Sequence, residues 1–185
     1  MRTQVGIVGA GPAGPMLSHL LHQRGIESVV VDVKTREDIE ETIKAGVLEQ
    51  GTVDLMCQTG VGDRMRRDGF VHHGINLAFS GAIHRVDLFE LSGGRSVTVY
   101  PQHEVLKDLI ARRLADSGDV RFGVSETTVD GLDGDRPTVS FLDGGQRQQL
   151  ECDFVAGCDG SQTYTRFLIP EGTIRTDFFR QYPFA

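Results

Sequence analysis

Residues 3–14 read TQVGIVGAGPAG, an apolar run that breaks into Gly9, Gly11 and Gly14 at the spacing GxGxxG. Gly9 allows a tight turn out of a strand. Gly11 removes a side chain where a pyrophosphate must come close, and Gly14 lets the following helix lie against the sheet. The start of that helix then presents free N–H groups and the positive end of its dipole to phosphate. Working outward, SVVVD ends in Asp32, 18 residues past Gly14. An acid there, at the tip of a second strand, can accept the hydroxyls of an adenosine ribose. Strand, turn, helix and acid together predict a Rossmann-like βαβ unit that binds a dinucleotide.

The 185 residues suffice for one well-buried domain, with room for the start of a second. Charged residues make up 24% and hydrophobic residues 39%, as in ordinary globular proteins. The net charge of −7 excludes a basic nucleic-acid surface. The basic cluster Arg64–Arg67 reads as a solvated helix face. Cys57, Cys152 and Cys158 have no metal-ligand spacing and read as reduced thiols of a cytoplasmic protein. The glycines and Pro12 interrupt the apolar core that a secretory signal would need, and no run approaches the ~20 apolar residues of a membrane span.

The periodicity predicts strands over 3–9 and 28–32, with a helix over 12–24 that Gly25 stops. KTREDIEETIK is polar and reads as partly helical, and VLEQGTVDLMCQTG as a helix ending near Gly60. Residues 71–100 alternate, as VHHGINLAF, HRVDLFEL and SVTVY separated by Ser-Gly and Gly-Gly, which predicts an antiparallel β excursion. EVLKDLIARRLADSG is an amphipathic helix stopped by Gly118. Short strands follow at about 119–124, 126–131, 137–142 and 147–150, before the apolar strand DFVAG runs into Asp159 and Gly160. An Asp at the carboxyl end of a parallel strand sits where open α/β sheets bind ligands. The fold class is therefore α/β.

The combination of GAGPAG, Asp32, AGVLEQGTVDL, VTVYPQHEV and CDFVAGCDG resembles the group A flavoprotein aromatic hydroxylases. The resemblance runs along essentially the whole chain, and AGVLEQG with YPQHEV is its most specific part. It implies an FAD enzyme that takes hydride from NADH or NADPH and uses O2 to hydroxylate a phenolic acid beside its hydroxyl. It also implies a homodimer at full length, with residues 1–175 as the FAD-binding domain and 176–185 opening a substrate-binding domain that the chain does not continue. Carried over residue by residue, it makes Gly9, Gly11, Gly14 and Asp32 cofactor contacts. Lys44 stands where an Arg is usual beside the pyrophosphate, and Ala45, Gly46 and Val47 run along the flavin ring. Gln102 meets the ribityl chain, and Asp159 and Gly160 serve both nucleotides. Arg166 is a basic contact for the nicotinamide cofactor. His72 is the candidate catalytic residue, the outer end of a proton relay that deprotonates the phenol.

This chain departs from the family pattern at Thr42, where an Arg is usual, and at Val33 and Asp38, near the expected 2′-phosphate of NADPH. Residues 34–44 hold Lys34, Arg36 and Lys44 against Glu37, Asp38, Glu40 and Glu41. A phosphate is best held by Arg forks, so the balance leans toward NADH or toward no preference. Two other readings stand beside this one. A nicotinamide-only Rossmann dehydrogenase shares the first 32 residues but should continue in alternating strands and helices. A non-catalytic nucleotide-binding fragment keeps every motif and lacks the substrate half. His72 also reads as an ordinary surface histidine on the β excursion.

Overall fold

The apolar run before the glycine turn becomes the middle of a six-stranded sheet. The computed structural model describes residues 1–161, 163–169 and 180. In chain order, β1 (Arg2–Val8), α1 (Ala13–His22), β2 (Ser28–Val31) and α2 (Arg36–Glu41) come first. They are followed by β3 (Val47–Glu49), α3 (Gln50–Gln58), α4 (Asp63–Asp68), β4 (Phe70–His72), β5 (Gly74–Phe79) and β6 (Ala82–Asp87). Then come α5 (Leu88–Leu91), β7 (Val97–Val99), α6 (Gln102–Ala115), β8 (Asp119–Arg121) and β9 (Ser125–Asp130). Last are β10 (Thr138–Asp143), β11 (Gln146–Gly157) and α7 (Tyr164–Phe167).

The large sheet has the order β8-β2-β1-β11-β10-β9, parallel from β8 to β11 and antiparallel from there to β9. Ile7 and Val8 explain the central position of β1. Ile7 packs with Val30, Leu106 and Ile110 on one face, and Val8 with Val31, Val139 and Phe141 on the other. A strand buried on both faces needs apolar residues at successive positions, as β1 and β2 have. In α1 the early Pro15 falls where no intrahelical N–H partner exists, so the helix tolerates it. Buried Ser18 and Arg113 join α1 to α6, Arg113 Nε donating to Ser18 Oγ at 3.0 Å. Burial pushes the Arg113 pKa down.

Three expectations change. Residues 47–49 are a strand, not the start of a helix, because Val47, Leu48 and Glu49 pair with Val99, Thr98 and Val97 far along the chain. The helix begins only at Gln50. The predicted strand over 147–150 and the DFVAG strand are one 12-residue strand, β11, with Leu150 and Cys152 both buried on the same side. No turn residue separates them. The β excursion divides into a three-stranded sheet, β3-β7-β4, and a separate β5-β6 hairpin. Within it, residues 88–91 turn into α5, because the Asp87 carboxylate accepts the Glu90 N–H at 2.9 Å as an N-cap. Residues 176–185, expected to open a second domain, lie outside the described residues apart from Arg180. Among the described residues no helix is long and apolar enough to cross a membrane.

Candidate cofactor cleft

A cleft of about 670 Å3 opens at the carboxyl ends of β1, β2 and β11, where a parallel sheet presents its ligand-binding edge. Its floor is the glycine turn. Gly9 has φ +110°, and a Cβ there would stand 2.4 Å from the Cys158 carbonyl oxygen. At Gly14 a Cβ would lie 1.9 Å from the Gly9 carbonyl oxygen, so only hydrogen allows the helix to start this close to the strand. Gly11 differs, since the nearest atom to a Cβ would be 3.9 Å away. Among the described residues no packing requires glycine there. The bare backbone at Gly11 leaves open room on the cleft lining. The start of α1 has no side-chain cap and no acid in its first turn, which leaves its positive end available on the cleft side.

Asp32 stands beside this turn with its carboxylate already engaged. One oxygen accepts the Ala10 N–H at 2.6 Å and the other the Lys34 N–H at 2.8 Å. It fixes the glycine turn against β2, and each oxygen retains a lone pair for a hydroxyl. Asp159 is similarly occupied. It accepts the Thr165 N–H at 3.0 Å and the Thr165 hydroxyl, and so orders the turn into α7. Gly160, at φ +105°, takes a conformation that favours glycine. Cys158 lines the same wall, and burial pushes its thiol pKa up. The three cysteines are free thiols, as expected.

The opposite wall comes from the start of α6 and the segment before β3. Gln102 donates its N–H to the Lys44 carbonyl at 3.3 Å, and Tyr100 donates its N–H to the Gly46 carbonyl at 3.1 Å. A Cβ on Gly46 would lie 2.0 Å from the Tyr100 carbonyl oxygen, which explains the glycine by packing. Thus Gly9, Gly11, Asp32, Lys44, Gln102, Asp159 and Gly160 all line one cleft, with Gly14 immediately behind it. The sequence reading passed over His103, Leu106 and Thr127, which also line it. Leu106 was reachable from Gln102 at the helical spacing i, i+4, whereas His103 is only its sequence neighbour. Thr127 enters from β9 and carries no local signal.

Other expected site residues stand apart from the cleft. Ala45, on the segment leading into β3, and Val47, the first residue of β3, are exposed. Val47 is paired with Val99, which pairs with Phe70, while Glu49, Val97 and His72 form the next row. Residues two apart share a face, so Val47 and His72 lie on one side of the small sheet. Arg166 is half-buried outside the cleft lining, and its guanidinium donates to the Ser161 carbonyl at 2.7 Å.

Residues 2–179 match the family described as "FAD binding domain". The chain belongs to that family. The FAD-binding match favours a flavin over a nicotinamide-only cofactor, in agreement with the antiparallel small sheets. This FAD-binding domain is 41% identical, over all 185 residues, to the p-hydroxybenzoate hydroxylase of Acinetobacter baylyi, of which it covers 45%. It is 27% identical to a 3-(3-hydroxy-phenyl)propionate/3-hydroxycinnamic acid hydroxylase of Burkholderia cenocepacia, with 91% of this chain and 31% of the relative covered. Among solved structures, OxyS anhydrotetracycline hydroxylase from Streptomyces rimosus superposes with a TM-score of 0.73 at 27% identity, over 86% of this chain and 32% of that one. PqsL of Pseudomonas aeruginosa shares the fold at a TM-score of 0.79 and 21% identity, over 99% of this chain and 49% of that one. The FAD-binding domain spans under half the length of each of these relatives.

The residues present fit FAD. The open position at Gly11 suits a pyrophosphate, and Lys34 and Lys44 supply positive charge on the lining. Two buried side-chain atoms on residues of the same lining, His103 Nδ1 and Thr127 Oγ1, have no hydrogen-bond partner among the described residues. Buried polar groups are nearly always satisfied, so a polar ligand is their natural complement.

Proposed function

We propose that this chain is the FAD-holding part of a cytoplasmic monooxygenase, homodimeric at full length, that hydroxylates 4-hydroxybenzoate or a related phenolic acid with NAD(P)H and O2. The observation that carries this reading is the convergence of the glycine turn, Asp32, Lys44, Gln102 and Asp159 on one cleft, in a chain 41% identical to a p-hydroxybenzoate hydroxylase. When bound, FAD supplies the two-electron chemistry that couples NAD(P)H to O2. Gly11 admits the pyrophosphate to the backbone, and Lys44 offsets part of its charge. Asp32 accepts from the adenosine ribose while holding the turn. Gln102, Asp159 and Gly160 meet the ribityl chain, with Asp159 and Arg166 also serving the nicotinamide nucleotide. Ala45, Gly46 and Val47 form an edge along the flavin ring. His72, on the same face as Val47, takes up the phenol proton at its imidazole. A shared face on one small rigid sheet supports pairing these two roles.

The test is NAD(P)H oxidation by the full-length parent against a panel of hydroxybenzoates, with the hydroxylated products identified. Stimulation by a phenolic acid, with a ring-hydroxylated product, is expected. If none stimulates oxidation, the substrate reading fails. The acidic balance of residues 34–44 adds an expectation of NADH preference or indifference. A tenfold higher kcat/KM with NADPH, about 1.4 kcal/mol, contradicts it.

A further inference from the structure

Arg64, the second residue of α4, reaches α6 and gathers three groups around it. Its guanidinium bonds to the Glu104 carboxylate in the first turn of α6, and to the Glu104 carbonyl at 3.3 Å. Its Nε lies 2.7 Å from the Asp108 carboxylate, one turn further on. The other Asp108 oxygen accepts the Tyr100 hydroxyl at 2.8 Å, and the guanidinium carbon stands 5.9 Å from the centre of the Tyr100 ring. Tyr100 is buried, and the Asp108 side chain is only 13% exposed. Burial pushes the Asp108 carboxyl up, and the Tyr100 hydroxyl and Arg64 pull it down, so this carboxylate depends on both. A polar network with this little water around it is stiff when complete and costly when broken.

Gln102 and Lys44 line the cleft, and Arg64, Tyr100, Glu104 and Asp108 lie outside that lining. Backbone makes the link between them. Residues 43–46 form neither helix nor strand. They are tied to the start of α6 by the Tyr100 N–H, donated to the Gly46 carbonyl at 3.1 Å, and the Gln102 N–H, donated to the Lys44 carbonyl at 3.3 Å. Tyr100 is thus held at both ends, its backbone on Gly46 and its hydroxyl on Asp108. The start of α6 has no side-chain cap of its own, and Arg64 supplies a polar anchor from outside the helix. We infer that Arg64 is a positioning residue for the cofactor cleft: by holding Tyr100, Glu104 and Asp108 it fixes the two N–H groups that place residues 44–46 against Gln102 on the wall. The inference takes its ligand from the FAD reading of the cleft and its geometry from the hydrogen bonds alone. A cleft whose supporting residues are loose binds less tightly, because the ligand must then order the wall as it binds.

The test uses the full-length parent with two substitutions at the network. Arg64→Met keeps the length of the side chain and removes its charge and donors, and Tyr100→Phe removes only the hydroxyl. Leu150→Val, in the core well before the end of β11, loosens the fold away from the wall. Flavin fluorescence should show FAD held about 3- to 10-fold more weakly by Arg64→Met and less severely weakened in Tyr100→Phe. Leu150→Val should stay within about twofold of wild type. Hydrogen–deuterium exchange, followed with and without FAD, should quicken at least about fivefold at the Tyr100 and Gln102 amides in Arg64→Met and Tyr100→Phe. Amides of β1 and β11 should stay within about twofold in the same proteins. An unchanged FAD constant in both network variants overturns the inference. Exchange that quickens equally in β1 and β11 also overturns it, by revealing a general loosening of the fold. Should Arg64→Met not fold, Tyr100→Phe decides by the same two measurements. A wild-type protein that binds no FAD overturns the FAD reading instead, and exchange without FAD still upholds or overturns the link from Arg64 to the wall.

Discussion

Gly11 and Gly14 look alike in the sequence and differ in physical cause. Gly14→Ala drives a methyl into the Gly9 carbonyl at 1.9 Å, backbone against backbone, and should destabilise the ligand-free fold by about 3 kcal/mol. Gly11→Ala meets nothing nearer than 3.9 Å, so ligand-free stability should stay within about 0.5 kcal/mol while FAD affinity falls at least about tenfold. Urea denaturation without ligand, followed by FAD titration, checks both, and matching stability losses would contradict the distinction. Asp32→Ala should weaken FAD more than Lys44→Ala. Asp32 is expected to bond ribose hydroxyls, at about 1.5–3 kcal/mol for a bond to a charged group, whereas Lys44 is an exposed point charge screened by salt. The structure adds that Asp32→Ala also strands the Ala10 and Lys34 N–H groups, so it alone should lower ligand-free stability. Equal FAD losses in the two variants would count against this account.

At the scale of elements, α4 is pinned to α6 by charged and polar groups. Tyr100 donates its hydroxyl to Asp108 at 2.8 Å, and Arg64 pairs with Asp108 and Glu104. Burial, then the bond to Asp108, pushes the Tyr100 phenol up to about 12 from 10.0. A group whose pKa rises on folding favours the folded state while it is protonated in both states. Its contribution is therefore complete below about pH 10 and disappears as pH rises toward 12. The two-unit shift corresponds to about 2–3 kcal/mol. Wild type should lose that much more stability than Tyr100→Phe in urea melts between pH 9 and 12, and parallel curves would contradict it. One of the three tyrosines should likewise ionise late in an ultraviolet titration. Elements whose own residues carry the pattern, such as α6 and β1, were legible in the sequence within a residue or two. β3 was not. Val47, Leu48 and Glu49 become a strand only through pairing with residues some 50 positions later, and local propensity cannot report such a partner.

At the scale of the whole molecule, the small sheet leaves apolar surface bare. Val47 is 61% exposed and Phe70 71%, on the face that also carries His72. The β5-β6 hairpin adds exposed Ile75, Leu77 and Phe79. Surface of this kind favours association. The 185-residue chain by itself is expected to self-associate, to hold FAD weakly and not to hydroxylate. Sedimentation across a concentration series should show association that the double variant Val47→Ser, Phe70→Ser reduces. A yellow monomer retaining one FAD through gel filtration would contradict this prediction. Residues 174–184, with Phe178, Phe179 and Phe184, also read in the sequence as an apolar strand edge, and they lie outside the described residues apart from Arg180.

The sequence by itself determined the βαβ unit, the glycine turn, Asp32 and the Asp159-Gly160 strand end. Each depends on a backbone conformation or periodicity that neighbouring residues impose. It also named Lys44 and Gln102 through a family resemblance, without saying that they share a wall. Tertiary structure alone decided that Thr127 of β9 lines the cleft and that Val47 and His72 share a face outside it. Those facts depend on which distant segments pack together. Burial and hydrogen-bond satisfaction exist only after that packing, so no local pattern in the chain encodes them.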